Sequence, residues 1–175
     1  LSLWDESVLN ALVGIGTPIL TVLAKTFAFL GSWRFLVPFN LLLLVLLWKD
    51  KPYHLLIPLG TLGCWILNHL IKSIFMRARP LVDALAVENS YSFPSGHAMV
   101  SSCFILLLSH FLKEKTGRDY RALAYLYILL MALSRMYLGV HFPSDVSVGS
   151  AIGMTTALGL LHFFGGNYDR QNNPR

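Results

Sequence analysis

The sequence predicts an all-α integral membrane protein, a bundle of five to six transmembrane helices with a candidate active site at the extracytoplasmic face. Three observations carry that prediction. First, 55% of the 175 residues are hydrophobic and only 13% are charged, far more apolar than a soluble domain of this size. Second, nearly uncharged runs recur along the chain, several close to the ~20 residues that cross a bilayer as a helix. The period-two alternation of a transmembrane barrel is missing. Third, the charged residues collect at the ends of these runs rather than along one basic stripe. That pattern sets nucleic-acid binding aside despite a net charge of +5. No repeat, low-complexity tract or linker divides the chain, so residues 1–175 are expected to form a single domain in contact with a lipid bilayer.

Residues 1–30 are interrupted by Asn10, Gly14, Gly16, Pro18 and Lys25, and Asp5-Glu6 stand near their start. They read as interfacial helices broken near Thr17-Pro18, with a kinked span as the alternative. The first residue is leucine, so processing or a missing upstream segment is expected, and a first span would then lie there. Beyond Gly31-Ser32 a span is expected over about 33–48, then the polar turn Lys49-Asp50-Lys51-Pro52, then a second span over 53–75. A loop over 76–93 leads to a third span at about 96–112, a charged turn at 113–121, a fourth span at 122–138 and, after Pro143, a fifth at 144–164. Cys64 and Cys103 fall inside spans, as small buried residues without disulfide or metal. Gly149, Gly153 and Ala157 recur every fourth residue, which marks a helix-packing face.

Each span reverses direction, so the end of the second, the start of the third, the end of the fourth and the start of the fifth share one side. Lys49, Lys51, Lys113, Lys115, Arg118, Arg121, Arg170 and Arg175 mark the other side as cytoplasmic. In a bacterium this puts the first side outside the plasma (inner) membrane. Three clusters meet there. Lys72 ends a helix and Arg79 is held extended by Pro80; the arginine forks onto two phosphate oxygens where the lysine acts as a point charge. In Pro94-Ser95-Gly96-His97, Ser95 is a natural N-cap, Gly96 lets a ligand approach the backbone, and the helix start is an anion site facing His97. In the third cluster Arg135 lies inside an apolar run, where a charge is a functional hypothesis by default. His141 and Asp145 are spaced so that the carboxylate can accept the second ring N–H and fix the tautomer. Several cations, two histidines and a carboxylate are equipment for phosphate chemistry.

The three strings, in this order, resemble the type-2 phosphatidic acid phosphatase superfamily, with every motif position filled over about residues 55–153. The resemblance implies a six-helix membrane bundle and a metal-free, cofactor-free phosphatase acting on a lipid phosphate. Its bacterial relatives act on phosphatidylglycerophosphate, phosphatidic acid or undecaprenyl diphosphate. It also implies that His141 is the nucleophile forming a phosphohistidine, Asp145 its orienter and His97 the acid for the leaving alkoxide. Lys72, Arg79, Arg135, Ser95 and the Gly96 backbone would hold the phosphoryl oxygens. Preorganised cations and N–H donors stabilise the charge that develops there, and two histidines in opposite protonation states give a bell-shaped pH dependence. Two rivals use the same cations: a non-catalytic lipid-phosphate binder or transporter, which needs neither histidine, and a vanadate-dependent haloperoxidase-like enzyme, which the apolar spans oppose. Of the other polar residues, Asn68 and His69 read as packing or hydrogen-bonding groups. Arg77 reads as a head-group contact or an interfacial anchor, and Asp83 and Glu88 as solvated loop charges.

Overall fold

Threonine and proline set the first break of the chain. Thr17 is an N-cap whose Oγ1 accepts the Leu20 N–H at 3.3 Å, and Pro18 occupies the first turn, where its missing N–H costs nothing. The computed structural model describes residues 3–165. Among them are seven α-helices and no strand: α1 (Leu3–Val13), α2 (Pro18–Leu30), α3 (Trp33–Leu46), α4 (Tyr53–Phe75), α5 (Gly96–Thr116), α6 (Arg121–Tyr137) and α7 (Pro143–Leu160), which runs into a π-helical turn at Leu161–Gly165. Arg170 and Arg175 lie outside the described residues.

α1 and α2 meet at 119°, broken at the Thr17-Pro18 position. The break is pinned to the end of α6, because the Tyr137 hydroxyl accepts the Thr17 N–H at 3.1 Å and pairs with Thr21 Oγ1 at 2.9 Å. α4, α5 and α7 with its π turn are long and apolar enough to cross a bilayer, and α1 with α2 would make a fourth such span. α3 is shorter than the sequence suggested, while α6 has the expected length shifted by one residue. α3 stops at 14 residues because Leu47 already caps it, and α6 has 17 residues, roughly 26 Å of helix against ~30 Å of hydrocarbon. α5 is longer than expected. Lys113, Glu114 and Lys115 are good helix formers, the lysines suit the negative end of the dipole, and Gly117 at φ 72° supplies the left-handed cap.

α5 is the axis of the bundle, and 61% of its apolar window is buried, against 33% for α4 and 28% for α7. α7 presses closest to it. A Cβ at Gly153 would lie 2.0 Å from the Met99 carbonyl oxygen, and one at Gly149 2.8 Å from that of Ser95. Small residues let these two backbones touch, as the four-residue spacing predicts. Cys64 and Cys103 are buried free thiols in the same core. Leu41, Leu42, Leu59, Leu62 and Leu129 face outward and are exposed, the inside-out polarity a bilayer permits. At one end of the bundle Lys115 pairs with Asp50 at 2.5 Å, tying the α3–α4 turn to the last turn of α5. The ends of α4 and α6 and the starts of α5 and α7 therefore gather at the other.

Candidate active site

The segment over residues 76–95 builds the site by folding back over these helix ends. Met76 leaves α4 with a left-handed backbone, the Ser92 N–H returns to the Arg77 carbonyl at 2.8 Å, and the Leu85 N–H reaches that of Leu138 at 3.0 Å. Gly139 makes room. It sits at φ 72°, and a Cβ there would meet Val82 Cγ2 at 3.0 Å and Ala84 Cα at 3.2 Å.

His141, between α6 and α7, is 1% exposed. Its Nε2 lies 3.3 Å from an Arg79 terminal nitrogen. An arginine only donates, so Nε2 carries the lone pair and the ring proton sits on Nδ1. Nδ1 faces Asp145 Oδ2 at 3.7 Å and Ser92 Oγ at 3.5 Å. The first is a close approach rather than a formed hydrogen bond. Burial, with Arg135 and Arg79 acting in the same direction and Asp145 opposing, holds the ring pKa down to about 3. The imidazole is therefore neutral at physiological pH, as a nucleophile needs to be.

Asp145 is completely enclosed. Its Oδ2 accepts the Phe142 N–H at 2.9 Å and a short hydrogen bond from Ser92 Oγ, and its Oδ1 accepts from Arg77 at 2.6 Å. Opposite stand the cations. The Lys72 ammonium donates to the Tyr91 carbonyl. Arg79 donates to the Ser90 carbonyl at 2.7 Å and the Val140 carbonyl at 2.6 Å. Arg135, 2% exposed, donates to Glu88 Oε1 at 2.5 Å, while its Nε has no protein partner. His97 Nδ1 lies 3.9 Å from the same Glu88 oxygen, and Arg79 is 4.0 Å from the other. An open cleft of about 510 Å³ adjoins the site, bordered by Lys72, Ser73, Arg77, Arg79 and Tyr91.

Ser95 behaves differently from the N-cap the sequence suggested. Its hydroxyl makes no cap bond and is buried without a partner, and its backbone N–H donates to the Asp145 carbonyl at 3.0 Å, joining α5 to α7. Gly96 serves helix packing as well, because a Cβ there would meet Asn68 Oδ1 at 3.0 Å. Asn68 itself bonds the Pro94 carbonyl and His69 the Trp65 carbonyl, so both do local structural work.

Two side chains depart from their sequence readings. Glu88 is no solvated loop charge but a carboxylate among Arg135, Arg79 and His97. Arg77 is no surface anchor: it joins Asp145 to Asp5 of α1. Ser92, Ser144 and Asp5 also touch these groups and were given no role by the sequence: Ser144 stands inside the third cluster at a position that no motif fixes, Ser92 lies in the loop, and the only signal for Asp5 was an acidic residue near the start of an apolar helix.

A family profile described as the PAP2 superfamily matches residues 53–169. Phosphatidylglycerophosphatase B of Bacillus subtilis is 31% identical over 175 aligned residues, covering 95% of this chain and 84% of that protein. The crystal structure of a transmembrane PAP2-type phosphatidylglycerolphosphate phosphatase from Bacillus subtilis superposes with a TM-score of 0.86 at 28% identity, covering 98% of this chain and 87% of the other. LpxE of Aquifex aeolicus follows at a TM-score of 0.73 and 27% identity, with 90% and 94% covered. The chain belongs to the PAP2 superfamily of phosphatases. It is a membrane protein and a hydrolase of the lipid phosphatase kind.

Proposed function

We propose that the protein removes a terminal phosphate from a membrane lipid without a metal, through a phosphohistidine on His141. Phosphatidylglycerophosphate is the first candidate substrate, with phosphatidic acid and undecaprenyl diphosphate as related ones. The observation that carries this reading is His141 itself: a buried neutral imidazole with its Nε2 lone pair turned to Arg79 and its Nδ1 turned to Asp145. Nε2 forms a bond to phosphorus as the bond from phosphorus to the lipid oxygen breaks, and His97 gives its proton to that oxygen. Water then attacks phosphorus, passes its proton to His97, and frees phosphate and His141. Lys72, Arg79 and Arg135, with the Ser95 hydroxyl and the Gly96 backbone, hold the phosphoryl oxygens, and their three charges take the part a metal plays elsewhere.

The chain is read as one domain of five to six spans, with α1 and α2 interfacial or forming the extra span. α3 and α6 cross with the help of flanking residues or local thinning. The protein sits in the plasma membrane with the site facing out of the cytoplasm. Lys49, Lys51, Lys113 and Lys115 at the opposite end support that orientation.

The test is inorganic phosphate release by the purified protein in detergent, with chelator present, from each of the three lipids. Release that survives the chelator and is lost in His141→Ala supports a metal-free histidine phosphatase and ranks its substrates. No release from a folded protein would favour the lipid-phosphate binder.

A further inference from the structure

Arg77 lies two residues before the motif arginine Arg79, and the chemistry above does not use it. One terminal nitrogen donates to Asp145 Oδ1 at 2.6 Å and Ser144 Oγ at 2.7 Å; the other donates to Asp5 Oδ2 at 2.9 Å. Its guanidinium carbon lies 4.3 Å from the centre of the Phe142 ring. Asp5 is seated from the other side, accepting the Ser144 N–H at 2.9 Å and hydroxyl at 2.6 Å. The Asp5 and Asp145 side chains are 3% and 0% exposed, so Arg77 is one cation between two buried carboxylates.

This arrangement divides the work of Asp145 between its oxygens. Oδ2 takes Ser92 and the Phe142 N–H and faces His141, while Oδ1 belongs to Arg77. Remove Arg77 and Oδ1 loses its charged partner in a closed site, where an unsatisfied carboxylate oxygen is costly. Asp145 would then turn toward whatever donor is nearest, and His141 would lose a fixed partner just when its ring gains charge on bonding phosphorus. Phe142 restricts the guanidinium from one face, and Asp5 from its far end.

We propose that Arg77 is a positioning residue. Seated on Asp5 of α1 and on Ser144, it holds Oδ1 of Asp145 so that Oδ2 stays turned to His141, and α1 is thereby part of the active site. The inference rests on His141 as the nucleophile. Its action falls on the chemical step, not on lipid binding.

The experiment measures phosphate release from phosphatidic acid by the full chain in micelles, with a melting curve for each variant. Arg77→Ala is expected to lower kcat by about tenfold or more with KM within about twofold, the pattern of an interaction needed in the transition state. Arg77→Lys should recover part of the loss, because an ammonium reaches one carboxylate but not both, and Asp5→Asn should lower kcat in the same direction. In an Asp145→Asn background, Arg77→Ala should change the residual kcat by less than about twofold, since the group it positions is already disabled. A purely structural role would not move in this way. The proposal is overturned if Arg77→Ala keeps its kcat while His141→Ala is inactive. It is equally overturned if Arg77→Ala costs the same factor with Asp145 changed as with it intact. Should Arg77→Ala fail to fold, Arg77→Lys and Asp5→Asn decide the matter by the same split between kcat and KM. An active His141→Ala would instead reject the nucleophile on which the inference rests.

Discussion

Glu88 stands among the cations that a phosphate would use. Its carboxylate meets Arg135 at 2.5 Å and lies within 4.0 Å of Arg79 and His97. On the proposed function an incoming phosphoryl group would compete with it, the resting site holding part of its positive charge on its own side chain. Glu88→Gln is expected to let orthovanadate inhibit at a concentration about three- to tenfold lower, because one competing negative charge at such a cluster is worth roughly 1 kcal/mol. An unchanged inhibition curve would count against that role. His141 makes a second prediction. Its folded pKa lies below the ordinary histidine value, so between about pH 6.5 and 3 the unfolded chain binds a proton that the folded chain refuses. Stability is therefore full above pH 6.5 and declines as the pH falls through that window. Melting temperatures of His141→Gln should fall less steeply over the same range. The motif side chains were legible because their residue types are costly at span ends. Arg77, Glu88 and Ser92 were not, because their partners depend on how the segment over 76–95 folds back, and no periodicity encodes that.

α5 and α7 owe their contact to the absence of side chains. With the Gly153 Cβ position 2.0 Å from a backbone oxygen, neither rotamer nor side-chain shift relieves an added methyl group, and the helices have to separate. Gly153→Ala is expected to cost roughly 2 kcal/mol or more and to lower activity with it, since Ser95 and Asp145 are joined at the same interface. Gly159→Ala, on the same helix with nothing within 4 Å, should leave the melting temperature unchanged or raise it through helix propensity alone. Comparing the two melting curves isolates the interface from helix propensity. The glycine spacing made this contact readable in advance, as Pro18 and Pro143 did two helix starts. The lengths of α3 and α5 were less readable. Hydropathy follows the chain's affinity for lipid, whereas a helix ends where its backbone finds a cap, so α3 stopped inside an apolar run and α5 continued through a charged one.

The bundle as a whole has one end that gathers the site and another that gathers lysines, and the proposed orientation, with the lysines on the cytoplasmic side, can be tested directly. A cysteine placed at Asp83, in the segment over the site, should react with a membrane-impermeant maleimide added to intact bacterial cells. One at Asp119, in the α5–α6 turn, should react only after the cells are opened. The reverse pattern would overturn the orientation. Cys64 and Cys103, both buried, provide little background. The contact of Asp5 with Ser144 joins positions 139 residues apart, one from the first helix and one from the last. A ribosome makes Asp5 well before Ser144. A nascent chain that has emerged as far as α6 already carries both histidine-flanking arginines, Arg79 and Arg135, but has neither Ser144 nor Asp145 to set against Arg77. On the proposed mechanism, hydrolytic competence thus arrives only with α7, and a chain whose translation stops before α7 would enter the membrane inert.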